Sequence, residues 1–485
     1  MSPGGSGGEA GAHPARVTAS VAPSATTRGP FDPAYRLISV ALVALITIIA
    51  FEAMAISTAM PSAARDLDAV RSYGLAFSVL LTAQLLGIVL AGVWVDRAGP
   101  LPSLFTGQVL LAGGSGLCAV SGSLAPFLLG RAVTGLGAGL IVVTGYVLVG
   151  RTYPDATRPR VFSMLSAAWV LPSLVGAPIA AWLTSTWSWR AVFGIVVVPV
   201  VATIAVVAAR RAQIAGRDAG GNSSRDHRAH VRAAWAGALI AAAAGALQFG
   251  THELEVRWSA RAVVALLGLV GVMVAAPLLV PRGTWRMAHG LPSVVLARSL
   301  MTAAFFGSIT YLPLMLVGER GLSLAMAGII LSIGSLGWSA GSWLQGRDAL
   351  NGRRERLVAA GGAALACGLL LLAATAWFGW PSYLCALALV VGGLGMGCAT
   401  ASMSVLTLAL TPSRDHGSAS SSLQLADVLG SVLGIAGATA VFAALHRSSG
   451  SDGDVYALIW TALAVVAGLV VLAGRRIGDE SGPKS

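Results

Sequence analysis

The chain has 485 residues, 56% of them hydrophobic and only 11% charged, with a mean hydropathy of +0.78 and a formal net charge of +12. Values this far from those of soluble domains exclude a water-soluble enzyme or binding module and indicate a membrane protein. The positive charge alone would suit a nucleic-acid partner, but its distribution follows membrane topology instead.

Residues 1–35, beginning MSPGGSGGEAGAHPAR, are rich in Gly, Ser, Ala and Pro and too polar to pack. They predict a disordered cytoplasmic tail and no signal peptide. A hydrocarbon slab about 30 Å thick takes about 20 apolar residues per helix. Apolar runs near 37–60, 73–95, 101–120, 124–149, 161–183, 190–209, 234–251, 259–281, 291–317, 323–345, 357–378, 382–411, 418–446 and 455–474 predict fourteen spans, with twelve as the fallback. The expected fold is therefore an all-α polytopic membrane protein. Its parts are a six-helix bundle over 36–210, a cytoplasmic linker over 211–233, two additional helices over 234–281, a second six-helix bundle over 290–475 and a cytoplasmic tail over 476–485.

With the N-terminus inside, Arg97, Arg151, Arg210, Arg211, Arg282, Arg286, Arg347, Arg353 and Arg475 fall on the cytoplasmic side, whereas the outer segments hold fewer basic residues, among them Arg65, Arg190 and Arg320. This is the positive-inside bias, and it puts both termini in the cytoplasm. Trp182, Trp187, Trp377 and Trp380 fall at predicted outer ends and Trp94, Trp235 and Trp343 at inner ends, as an aromatic belt requires. The four cysteines have no C-x-x-C spacing, so neither a metal nor a disulfide is expected.

Two short internal repeats relate the halves. AGVWVDR at 91–97 aligns with AGSWLQG at 340–346, pairing Asp96 with Gln345, and GLGAG at 135–139 aligns with GLGMG at 393–397. The glycines suit close helix packing, and repetition in membrane proteins is a mark of transporter folds.

Several segments carry a family resemblance. GVWVDRAGPL contains Gly92, Asp96, Arg97 and Gly99 of a loop pattern between spans 2 and 3, with Pro100 and Leu101 where that pattern is basic. RAVTGLGAG begins at Arg131; PSLVGAPIAA keeps Pro172, Gly176 and Pro178; and WSWRAVF opens the sixth span. FEAMAISTAMP, 51–61, has Phe51 and Glu52 where the first-span motif has Leu and Asp, and ends on the same proline at Pro61. Together these resemble the major facilitator superfamily, and within it the drug:H+ antiporters with fourteen spans. The resemblance implies two six-helix bundles related by a pseudo-two-fold axis, plus two extra helices. It also implies proton-driven export of amphipathic drugs, antibiotics or related small molecules by alternating access, with no cofactor beyond the proton motive force and no enzymatic activity. The expected setting is the cytoplasmic membrane, and the expected partners are a small amphipathic substrate, protons and the bilayer, with the protein a monomer.

The charged residues inside spans carry the chemistry. A carboxylate in hydrocarbon costs about 2.5–3.5 kcal/mol even on insertion scales, and desolvation favours its neutral form. Glu52 therefore reads as a proton site, against the alternative of a structural carboxyl bonded to a neighbouring helix. At about 1.5 Å per residue, Glu52 and Arg131 both reach the outer half of the bilayer, which makes Arg131 the expected partner unless it snorkels outward. Asp427 lies near the midplane, suited to proton coupling or cation recognition, or to a satisfied carboxyl facing Gln424. Arg298 is expected to snorkel to the inner surface, and Glu253 and Glu255 to be rim residues. Gly92, Asp96, Arg97 and Gly99 are expected to form an inner gate. Trp169, Phe305, Tyr311, Trp338 and Gln424 are candidates for lining a substrate cavity, with core packing as the alternative for the aromatics. Hydropathy leaves open a nutrient symporter or a lipid or glycolipid exporter of the same superfamily. A membrane-embedded enzyme lacks any nucleophile-base or metal constellation in the spans, and a nucleotide-driven pump lacks a phosphate-binding loop.

Overall fold

A computed structural model describes residues 30–33, 35–70, 72–154, 157, 160–161, 164–165, 168–211, 227–251, 260–278, 280–347, 353–412, 416–447 and 450–478. The expectations for most of the N-terminal tail, for residues 212–226 of the linker, for Glu253 and Glu255 and for 479–485 fall outside these residues, as does the Asp96 side chain.

Among the described residues the chain is all-helical. Fourteen α-helices follow one another: α1 (Arg36–Asp66), α2 (Leu75–Ala98), α3 (Pro100–Val120), α4 (Leu124–Thr152), α5 (Val170–Thr186), α6 (Trp189–Ala209), α7 (His227–Thr251), α8 (Ala260–Ala275), α9 (Leu291–Gly318), α10 (Leu324–Leu344), α11 (Arg354–Trp377), α12 (Tyr383–Ala409), α13 (His416–Leu445) and α14 (Gly453–Arg475). Eleven are long and apolar enough to cross a bilayer by themselves, and the apolar stretches of α7 and α8 are shorter.

Two boundaries differ from expectation for local reasons. Helix α7 starts at His227, inside the segment read as linker, because HRAHVRAAWA contains good helix formers and no Gly or Pro. Helix α8 stops at Ala275 and gives way to a short 3-10 turn over Ala276–Leu278, where Pro277 has no amide hydrogen to continue the ladder.

The helices pair in the same way in each half. In the first half α2 packs on α4, α3 on α6 and α1 on α5; in the second, α10 packs on α12, α11 on α14 and α9 on α13. The internal repeats sit at corresponding contacts. A Cβ on Gly135 would lie 2.1 Å from the Leu80 carbonyl oxygen and one on its counterpart Gly393 2.5 Å from that of Gly334; likewise Gly139 would meet the Gln84 carbonyl at 2.3 Å and Gly397 that of Trp338 at 2.1 Å. With no side chain in the way, α4 lies backbone to backbone against α2, and α12 against α10.

The two bundles meet along two seams that the same pseudo-symmetry relates, α2 with α13 and α5 with α10. Helices α7 and α8 form an antiparallel pair laid over the first seam. Ile240, Ala244 and Val272 pack there with Leu85 of α2 and with Leu429 and Val432 of α13, and the Gln248 amide donates to the Thr82 hydroxyl of α2. The bundles also touch at the end that carries the α1–α2 turn. Tyr73 lies 5.6 Å from Tyr311, centroid to centroid, and Gly74 abuts Thr439 so closely that a Cβ would fall 1.8 Å from its hydroxyl. At the opposite end of α2, a Cβ on Gly92 would meet nothing within 4 Å.

This packing separates two glycines that belong to different sequence motifs. Gly135→Leu is expected to lower stability by about 1–3 kcal/mol or to prevent folding, because overpacking forces backbone apart, whereas Gly92→Ala should leave stability within about 0.5 kcal/mol of wild type. Thermal melts of the purified proteins in detergent would check both.

Candidate functional site

Helix α1 carries Glu52 into the first bundle among Ala50, Ala55 and Ile56, so the carboxylate has no water to solvate it. Its counter-ion comes from α4. The Arg131 guanidinium donates through Nη1 to Glu52 Oε1 at 2.9 Å, and the two side chains are 1% and 5% exposed. Arg131 Nε donates to the Ala76 carbonyl at 3.2 Å, and its guanidinium carbon stands 5.8 Å from the Phe193 ring centroid. One side chain thus touches α1, α2 and α6 from α4.

A second ion pair occupies the other bundle and is built differently. Arg298 Nε of α9 lies 2.6 Å from Asp427 Oδ1 of α13, and Arg298 Nη1 donates to the Thr400 carbonyl of α12 at 3.2 Å. This corrects one expectation: Arg298 does not snorkel, because a carboxylate lies within its reach at its own depth. Asp427 faces Arg298, and Gln424 is exposed on the same helix. The pair is open, with side chains 15% and 26% exposed. A charge on a spanning helix is costly against lipid, so partial exposure suits a surface turned to the bundle interior rather than to the bilayer.

The aromatic candidates divide. Phe305 and Trp338 meet edge to face at 5.2 Å, both half-buried. Phe305 follows Arg298 by seven residues on α9, two helical turns on the same face. Trp169 is 38% exposed just before α5. Tyr311 does not line a cavity: it is fully buried, stacked between Tyr73 and Phe442, and belongs to the closed end of the molecule. Pro172 is buried, Pro178 lies within α5, and Gly176 lets α5 approach Met54 of α1. Arg97 is exposed, and Gly99 adopts φ +77° to turn the chain from α2 into α3. In the second half Gln345, aligned with Asp96, accepts from Arg354 at 2.7 Å.

Sequence reasoning missed Thr400, Tyr73, Gly74 and Thr439. The partner of Arg298 was also missed, although a second unexplained charge at similar depth was the signal for it.

Comparison with known proteins gives this arrangement a family. The Major Facilitator Superfamily pattern matches residues 42–435. The chain belongs to the Major Facilitator Superfamily. It is 30% identical over 412 residues to an uncharacterized MFS-type transporter of Mycobacterium tuberculosis, an alignment that covers 80% of this chain and 56% of that protein, so the chain spans little more than half of that relative's length. It is 25% identical over 433 residues to a probable multidrug-efflux transporter of the same organism, covering 85% of this chain and 88% of the other. A multidrug transporter protein of Bacillus subtilis is 24% identical over 415 residues, covering 83% and 74%. Among solved structures, a POT family transporter superposes with TM-score 0.68 at 13% identity, over 92% of this chain and 96% of the other. The inward-open xylose transporter from E. coli superposes with TM-score 0.60 at 15% identity, over 93% and 98%. At these identities the structures show the fold alone.

The chain is thus a member of this superfamily with eleven helices, among the described residues, long and apolar enough to cross a membrane. Its buried pair makes an energetic prediction. Arg131→Ala leaves the Glu52 carboxylate buried and uncompensated, which is expected to cost about 3–5 kcal/mol. Adding Glu52→Gln to Arg131→Ala removes the orphan charge and should restore much of the loss. Thermal denaturation of the single and double variants in detergent measures the coupling.

Proposed function

We propose that this member of the superfamily is a proton-coupled antiporter of the fourteen-span drug:H+ type, which exports amphipathic small molecules by alternating access. In this reading both termini are cytoplasmic and the α1–α2 turn lies outside, as the positive-inside bias of the loops requires. The contact of Tyr73 with Tyr311 and of Gly74 with Thr439 is then a closed outer gate, and the open Asp427–Arg298 pair faces the cytoplasmic side.

The observation that carries the reading is the sealed Glu52–Arg131 pair. In this conformation the guanidinium at 2.9 Å supplies the counter-charge of the carboxylate. Rocking the bundles to open the outer gate separates α1 from α4 locally. Without its counter-ion, a carboxylate in that apolar site takes a proton from the outer solution. Return of the bundles brings Arg131 back, expels the proton toward the cytoplasm and resets the cycle. Substrate leaves outward in the same opening that admits the proton, so the two fluxes run in opposite directions. Gly92, Asp96, Arg97 and Gly99 are assigned to the inner gate, which closes over the uncovered surface at Gly92 when the outer end opens. The two multidrug relatives support the substrate class.

The test is uptake of fluorescent amphipathic dyes into everted vesicles driven by an imposed proton gradient. Glu52→Gln keeps the shape and hydrogen bonding of the side chain but removes the ionisable state. It leaves the Arg131 guanidinium without a counter-charge, so the variant's amount in the membrane is measured alongside, and uptake per inserted molecule should fall by an order of magnitude or more. Uptake equal to wild type would move the proton site away from Glu52. Transport in the direction of the proton gradient would make the chain a symporter.

A further inference from the structure

The molecule holds two intramembrane ion pairs, and only one is sealed. Glu52 with Arg131 is 5% and 1% exposed; Asp427 with Arg298 is 26% and 15% exposed and so open to solvent or ligand. A lone carboxylate at that place would attract cations. Here the Arg298 guanidinium already sits on it at 2.6 Å, anchored from behind by the Thr400 carbonyl, so the net charge of this part of the cavity is zero.

We propose that Arg298 sets the charge selectivity of the substrate cavity: by neutralising Asp427 it makes the site select neutral or zwitterionic amphiphiles and disfavour ligands with a net charge of either sign. The assignment rests on the reading of this chain as a small-molecule transporter and narrows its substrate class.

The physical argument is one of balance. A monovalent cation that approaches Asp427 is repelled by Arg298 at nearly the same distance, and an anion that approaches Arg298 is repelled by Asp427. A neutral group with one donor and one acceptor meets no such opposition. Each residue of the pair offers such a group its complement, since a carboxylate accepts through two oxygens and a guanidinium has five N–H donors, of which the described contacts use two. A zwitterion satisfies both charges at once. The remainder of the ligand has a place two helical turns away, about 10 Å along α9, where Phe305 and Trp338 present apolar ring surface. The ligand is thus an amphiphile with a dipolar or zwitterionic head and an aromatic or alicyclic body.

The site also differs from the sealed pair in what breaking it costs. Water can solvate either partner when the other is removed, so variants here should fold, unlike Arg131→Ala. Arg298→Gln exposes a lone carboxylate, Asp427→Asn exposes a lone guanidinium, and the double variant carries neither charge.

The test is direct binding to purified full-length protein in a non-ionic detergent, by quenching of intrinsic tryptophan fluorescence. The probes are tetraphenylphosphonium, tetraphenylborate and the neutral acceptor triphenylphosphine oxide, which share aromatic bulk and differ in charge. Wild type should favour triphenylphosphine oxide over both ions. Arg298→Gln should gain at least about tenfold in affinity for tetraphenylphosphonium, a conservative fraction of the roughly hundredfold that a unit charge about 6 Å away is worth at an effective dielectric near 20. Asp427→Asn should gain similarly for tetraphenylborate, and the double variant should return to the wild-type order. Cation affinity that is unchanged or lower in Arg298→Gln would overturn the proposal, as would two single variants that shift in the same direction. Because binding is read without a gradient, the result is independent of transport direction. The expected binding pattern together with no gradient-driven export in vesicles would overturn the antiporter reading and leave the charge selectivity standing.

Discussion

The interaction on which the rest of the structure depends is the buried contact between Glu52 and Arg131. Two opposite charges taken out of water are tolerable only while they stay together, and here they come from different helices, α1 and α4. The pair is therefore a constraint on helix positions as much as a bond. It holds α1 against α4 in one conformation and becomes expensive in any other unless a proton replaces the arginine. Arg131 also reaches the Ala76 carbonyl on α2, three residues beyond Tyr73 at the contact between the bundles. The charge site and the closed end of the molecule thus share one helix segment, which provides a physical route between proton occupancy and gating.

The pseudo-symmetry gives this arrangement its scaffold and the departures from it give it direction. Helices α2 and α10, α4 and α12, α1 and α9, and α5 and α13 occupy matching positions in their bundles. The glycine-to-carbonyl contacts repeat between the halves, at 2.1 Å for Gly135 and 2.5 Å for Gly393, and at 2.3 Å for Gly139 and 2.1 Å for Gly397. The charges do not repeat. On α1 the charged residue is an acid, paired to α4 and sealed; on α9 it is an arginine, paired to α13 and open. One half thus holds a site that water cannot reach in this conformation and the other a site that water can. The extra helices break the symmetry again. They cover the α2–α13 seam and leave the equivalent α5–α10 seam without such a cover among the described residues.

Much of this was legible in the sequence. The number and order of helices follow from hydropathy because each span must bury its own backbone polar groups in lipid, and the glycine repeats located close helix contacts. Glu52 and Arg131 could be matched by depth, since both lie on helices whose ends are marked by polar residues. Depth alone could not match Arg298 with Asp427. Their meeting depends on the rotation of α9 against α13, which is set by small residues such as Gly430, whose Cβ would fall 2.1 Å from the Ser299 carbonyl oxygen. Tyr311, for which cavity lining and core packing were both open, takes the core position for a related reason. A tyrosine near the end of a span suits a cavity or a gate equally well, and only the approach of Gly74 and Tyr73 from the other bundle decides it.

The central claim is that Glu52 carries the proton and gives it up when Arg131 closes on it. Binding of substrate to the inward-facing form should draw the population away from the protonated, outward-facing form, and linkage then requires protons to appear in solution. The most direct measurement is proton release, followed with a pH indicator, when triphenylphosphine oxide is added to purified protein in lightly buffered detergent; the probe does not itself titrate. The account predicts release from the wild-type protein and none from Glu52→Gln that still binds the probe. Release of the same size from Glu52→Gln would contradict it.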